Sequence, residues 1–87
     1  MPTMVAHHDV KDVAHWLASP KREEVFTPVG VTNIRTFTDP RNPHHVALVA
    51  DVADLEALEK FMQSDAAAAA MEHDGVLSET LVILIEA

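Results

Sequence analysis

Apolar and polar positions recur along this chain with two different periods, and the switches between them mark its elements. Residues 3–10, TMVAHHDV, are short and rich in β-formers, which predicts a first strand. Asp12 then stands as an N-cap before a short helix whose Val13, Trp16 and Leu17 fall on one face. Pro20 ends or interrupts that helix, KREEVF adds another helical turn, and TPVG breaks the chain. VTNIRTFTD, residues 31–39, carries Val, Thr, Ile and Phe in strand fashion. DPRNP, residues 39–43, is turn chemistry, and HHVALVADV, residues 44–52, is the returning strand of a hairpin. Asp54 caps a helix with Leu55, Leu58, Phe61 and Met62 on its apolar side. Ser64 caps the next, and Gly75 ends it as the left-handed residue. The chain closes on VLSETLVILIEA, a strand that is apolar on both faces from Leu81 to Ile85.

The order strand, helix, strand, strand, helix pair, strand predicts an α+β, ferredoxin-like βαββαβ fold. Two right-handed crossovers interleaved in this way build one four-stranded antiparallel sheet with helices on one face. The other face is left bare, although the last strand is apolar on both sides. Length sharpens that problem. Residues 1–87 make a single domain, and a chain this short buries only about 60–65% of its unfolded surface. It has no cysteine to staple a thin core. A homodimer that presses two bare faces together, a dimeric α+β barrel, answers both difficulties.

Charge and leader signals narrow the partners. Fourteen acidic residues against six basic ones give a formal net charge of −8, which repels phosphate backbones and argues against nucleic acid. No apolar run approaches the roughly 20 residues that span a bilayer, and MPTMVAHHDV has no signal-peptide pattern. A cytoplasmic protein without membrane contact is expected.

The five alanines at 66–70 follow Ser64 with the residue of best helix propensity. Their lack of bulk lets a helix lie very close to a neighbour at the sheet edge or a dimer contact; lining a ligand portal is the alternative.

HDVKDVAHW (His8, Val10, Asp12, Trp16), TDPRNPHHVAL, and DLEALEKFMQSD with AAMEHDGV together resemble a group of small dimeric α+β-barrel proteins. These are similar in architecture to antibiotic-biosynthesis monooxygenases and to polyketide cyclase-like and muconolactone isomerase-like relatives. The resemblance covers most of the chain and implies a fold more than a reaction, because that architecture hosts several chemistries. This sequence departs from it at Phe26, four residues before Gly30, where such relatives often carry arginine.

Candidate chemistry centres on histidine. The first strand is expected beside the third, which brings His7–His8 near His44–His45. On the third strand Val46, Leu48 and Ala50 suit the helix side, leaving His45, Ala47, Val49 and Asp51 toward the barrel. On the first strand Ala6, His8 and Val10 are placed toward the barrel, since His8 holds the histidine of the family-like H-x-V-x-D pattern. His8 and His45 then share one rim of the cavity. A neutral imidazole there suits a general base at neutral pH. A histidine metal site with Asp51 or Asp9, and histidines that are merely wet at strand ends, are the alternatives; no H-x-H or H-E-x-x-H spacing supports the metal. His15 and His73 fall on helices and are expected in solvent. Strict alternation of the second strand puts Val31, Asn33, Arg35 and Phe37 on one face. Arg35 there could hold a carboxylate or enolate oxygen and Asn33 a carbonyl, or the charge could guard a sheet edge. Phe37 and Trp16 are candidate substrate walls, Trp16 alternatively plain core.

With only two glycines, no phosphate loop exists, and there is no G-x-S-x-G elbow or cysteine nucleophile. The expected polar cluster in an apolar barrel points to an enzyme, monooxygenase-, cyclase- or isomerase-like, that needs no cofactor and acts on an apolar small molecule, with His8, Arg35 and His45 catalytic. A non-catalytic ligand-binding module and a purely structural dimerisation domain are the competing readings.

Overall fold

A computed structural model describes residues 2–87. Its elements run β1 (Thr3–Val10), α1 (Val13–Ala18), α2 (Lys21–Phe26), a one-turn 3-10 helix (Thr27–Val29), β2 (Val31–Asp39), β3 (Asn42–Val52), α3 (Leu55–Met62), α4 (Asp65–His73) and β4 (Val76–Ile85). The sheet order is β2-β3-β1-β4, antiparallel throughout. This is the ferredoxin-like α+β fold expected from the pattern. No helix among the described residues is long and apolar enough to cross a membrane.

The helix starts follow local chemistry. Asp12 accepts from the His15 N–H, Asp54 from the Ala57 N–H and Ser64 from the Ala67 N–H, each at 3.2 Å. Each bond satisfies one of the backbone donors that a helix N-terminus leaves free. Gly30 ends the 3-10 turn at φ 87° and so faces β2 back along the sheet.

Burial alternates along the two central strands and shows which face the helices cover. Met4, Ala6, His8 and Val10 of β1 are buried with Val46, Leu48, Ala50 and Val52 of β3. Trp16 from α1 and Leu58 from α3 complete this core. The opposite parity, Val5, His7, Asp9, His45, Ala47, Val49 and Asp51, lies on the bare face and is only partly covered.

Two expected placements are corrected. The β1–β3 register pairs Asp9 with His45 and His8 with Val46. Directly opposed strand residues share a face, so His8 goes under the helices, Ala6 and Val10 with it, and His7 takes the bare side. His8 and His45 therefore stand on opposite faces of the sheet. In β2, strict alternation fails at a bulge between Thr32 and Arg35, where Asn33 adopts φ 55°. The extra residue shifts the phase. Val31 and Ile34 pack toward the core, while Arg35 and Phe37 pair with Val49 and Ala47 of the bare face.

The hairpin turn is tighter than expected, since β3 already begins at Asn42. Asp39 and Asn42 each accept a backbone N–H two residues on, which fixes the corner. In β4, Ser78–Leu81 bulge opposite His8. Thr80 Oγ1 repairs the ladder there, accepting from the Asp9 N–H at 2.8 Å and donating to the Leu77 carbonyl at 2.6 Å.

Candidate functional site

Between the covered sheet face and the helices lies a cavity of about 60 Å³. Its wall is almost entirely apolar, with Leu48, Leu58, Met62 and Met71 among its members. Ala67 and Ala70 also line it. Those two alanines are buried and the others of the run face outward, so the absence of side-chain bulk leaves space beside α4 at the cavity wall.

Four side chains with chemistry reach this cavity from four places: His8 from β1, Trp16 from α1, Arg22 from α2 and Asp74 from the end of α4. Trp16 is 1% exposed and meets the His8 ring edge-on, centroids 5.7 Å apart at 79°. His8 itself is 4% exposed, and its Nδ1 has no hydrogen-bond partner among the described residues. Burial pushes the His8 imidazole below its ordinary value of 6.5. The Asp9 backbone opposes that shift, while the charges of His45 and Arg22 reinforce it. His8 is thus a neutral base held in an apolar box.

Arg22 and Asp74 form the polar end of the site. The Arg22 guanidinium lies 4.3 Å from the Trp16 ring centroid and donates to the Trp16 carbonyl at 2.6 Å. Its Nη1 is 3.8 Å from Asp74 Oδ2, both side chains being nearly enclosed. Burial lowers the Arg22 pKa and Asp74 draws it back up. Asp74 Oδ1 accepts from Ser19 Oγ at 2.5 Å and from His73 Nδ1 at 2.9 Å. A carboxylate at the negative end of a helix is unfavourable alone, and these donors make the position tenable.

Of the candidate catalytic and substrate-binding residues, His8 and Trp16 reach the cavity, and the others do not. His45, Arg35, Phe37 and Asn33 sit on the far side of the sheet. There His45 Nδ1 donates to Asp9 Oδ1 at 2.8 Å, and the His7 ring stands 5.3 Å from that of His45. Asn33 Nδ2 reaches Asp51 Oδ2 at 3.4 Å. Arg35 pairs with Val49, four residues along β3 from His45, or about 13 Å at strand rise. These side chains form a row rather than one cluster.

Sequence inspection missed Arg22 and Asp74. Arg22 lies one helical turn before Phe26, inside a segment read only as helix, and Phe26 instead packs edge-on against Phe61 at 5.3 Å. Asp74 did carry a signal: an acidic residue immediately before the left-handed Gly75 needs a cation or donor nearby. Replacing Asp74 by Asn leaves Arg22 with no carboxylate partner in a nearly closed site. The expected loss is about 3 kcal/mol of unfolding free energy in urea melts, at the low end for a broken buried pair because the 3.8 Å contact is long. A loss under about 0.5 kcal/mol contradicts the pairing.

No family model matches the chain, and no curated protein matches it in sequence. Solved structures do match. One named as an antibiotic biosynthesis monooxygenase covers 100% of this chain and 97% of its own at 14% identity and TM-score 0.63. A protein of Bordetella bronchiseptica assigned as an antibiotic biosynthesis monooxygenase covers 99% and 94%, at 15% identity and TM-score 0.71. A conserved protein of Methanosarcina mazei Go1 covers 97% and 88%, at 18% identity and TM-score 0.59. At such identities the likeness is one of backbone architecture: this chain has the ferredoxin-like α+β fold of structures similar to antibiotic biosynthesis monooxygenases.

Proposed function

We propose that the chain is a small cofactor-independent enzyme that takes a proton from an apolar small molecule held against His8. The observation that carries this reading is the His8 Nδ1, buried in an apolar cavity, unpartnered and biased toward neutrality. A neutral imidazole with a free ring nitrogen is ready to accept a proton. The Arg22 guanidinium on the same wall supplies positive potential for the enolate or phenolate left behind. Trp16 offers a flat apolar wall. The proton can return at another carbon, which is isomerisation. Alternatively the carbanion adds O₂, and the peroxide loses water to leave a carbonyl, so that R₂CH₂ and O₂ become R₂C=O and H₂O.

A cavity of about 60 Å³ is smaller than the roughly 300 Å³ of ordinary ligand pockets. Substrate entry then displaces Met62 and Met71, unbranched side chains that repack readily. That same small volume favours the second reading, a non-catalytic module that binds a small apolar ligand. The two separate with β-diketone and anthrone-like carbon acids in D₂O, followed by NMR for C–H exchange and by electrode for O₂ uptake. His8→Gln is expected to lower kcat about 10²–10⁴-fold with KM little changed. Only neutral His8 accepts the proton, and burial lowers its pKa, so the acid limb of kcat/KM should have its midpoint below pH 6.5. Binding without exchange or oxygen uptake, unaffected by His8→Gln, favours the module.

We further infer that a second copy of the chain covers the bare sheet face. Phe37 and Leu84 are 48% and 55% exposed there, with Val82 beside them. Ala47 and Val49 continue the apolar surface between polar side chains. A face this apolar on so small a chain needs cover, and β4 stands at the sheet edge with unpaired backbone groups. In this arrangement His45, Arg35, Asn33 and Phe37 line the shared interior between copies rather than the proton-transfer site. Sedimentation equilibrium at micromolar concentration should give a dimer. Phe37→Glu with Leu84→Arg should raise its Kd at least about tenfold; a wild-type monomer contradicts the inference.

A further inference from the structure

Outside the cavity, His15, His73 and Asp74 converge from α1 and the end of α4. One ligand atom from each lies within 4.8 Å of the others. We propose that these three residues bind a divalent transition-metal ion, zinc by preference, clamping α1 to the C-terminal end of α4.

Each imidazole already uses one ring nitrogen to fix its orientation. His15 Nε2 donates to the His73 carbonyl at 2.8 Å, and His73 Nδ1 donates to Asp74 at 2.9 Å. An ion binds at these same atoms in place of the shared protons, His73 Nδ1 and Asp74 Oδ1 being already 2.9 Å apart. The two rings face each other at 5.7 Å between centroids, tilted by 39°. Two imidazoles and a carboxylate form a borderline donor set that suits zinc, with water completing the tetrahedron. Ligand atoms about 3.3 Å apart are needed around a zinc with bonds near 2.0 Å, so only modest side-chain rotation closes the site. The histidines are exposed and free to make it, whereas Asp74 is held at 3% exposure by Ser19 and Arg22.

A second, independent feature favours a cation. The site sits at the carbonyl end of α4, where the helix presents partial negative charge. The whole chain also carries −8 formal charge. Because Asp74 is also the partner of Arg22, an ion here joins the polar end of the cavity to the surface. Neither His8 nor the proposed proton transfer is needed for binding, so failure of one leaves the other standing.

The test uses tag-free protein and Zn²⁺ alone, measured by titration calorimetry. Cu²⁺ quenching of Trp16 adds a local readout, since this single tryptophan is the next residue after His15. One Zn²⁺ per chain is expected. His15→Gln and His73→Gln, both at exposed positions whose metal-free melts check folding, should each weaken binding at least about tenfold. His45→Gln, in the histidine cluster on the other sheet face, should leave binding and quenching unchanged. No binding below millimolar Zn²⁺ overturns the proposal. So does binding that survives both helix variants or is lost with His45→Gln.

Discussion

The β1–β3 register is the constraint on which the site depends. Pairing Asp9 with His45 fixes the parity of all of β1, because the β1–β3 pairing runs without a bulge and successive residues alternate sides. A slip of one residue would send His8 to the bare face and His7 under the helices. The register is held from both sides. Val46, Leu48 and Ala50 of β3 bury against the helices, and the bond between His45 and Asp9 locks the pairing at the other surface. The β4 bulge then falls opposite His8, with Thr80 taking over the Asp9 N–H.

From that register follows a division of labour between the two faces. One becomes an apolar cavity whose polar atoms are few and mostly satisfied, with His8 Nδ1 the exception. Buried polar groups without partners are costly, so the fold tolerates at this point something it could have avoided with an apolar residue. The Arg22–Asp74 pair, Ser19 and His73 close the far end of the same space. Ala67 and Ala70 of α4 belong to this arrangement, since a larger side chain at either position would take up space at the cavity wall.

Much of the architecture was legible because local signals and periodicity agreed. Asp12, Asp54 and Ser64 each cap the helix they precede. The faces of β3 follow from Val46, Leu48 and Ala50, whose apolar side is unambiguous. β1 offered no such contrast: in VAHHDV each parity carries one histidine and at least one apolar residue, so only the partner strand decides. β2 was misread because a bulge breaks the period, although Asn33 is the type of residue that tolerates φ above zero. Arg22 and Asp74 meet only through packing of α2 against the end of α4, which no local spacing encodes.

The proposed proton transfer requires that His8 be buried and neutral on the helix side of the sheet. The most direct test is an NMR pH titration of its ring nitrogens in the wild-type protein. His8 should titrate with a midpoint below pH 6.5, with ring-proton contacts to Trp16. A midpoint at or above pH 6.5, or contacts to His45 in place of Trp16, would contradict the account.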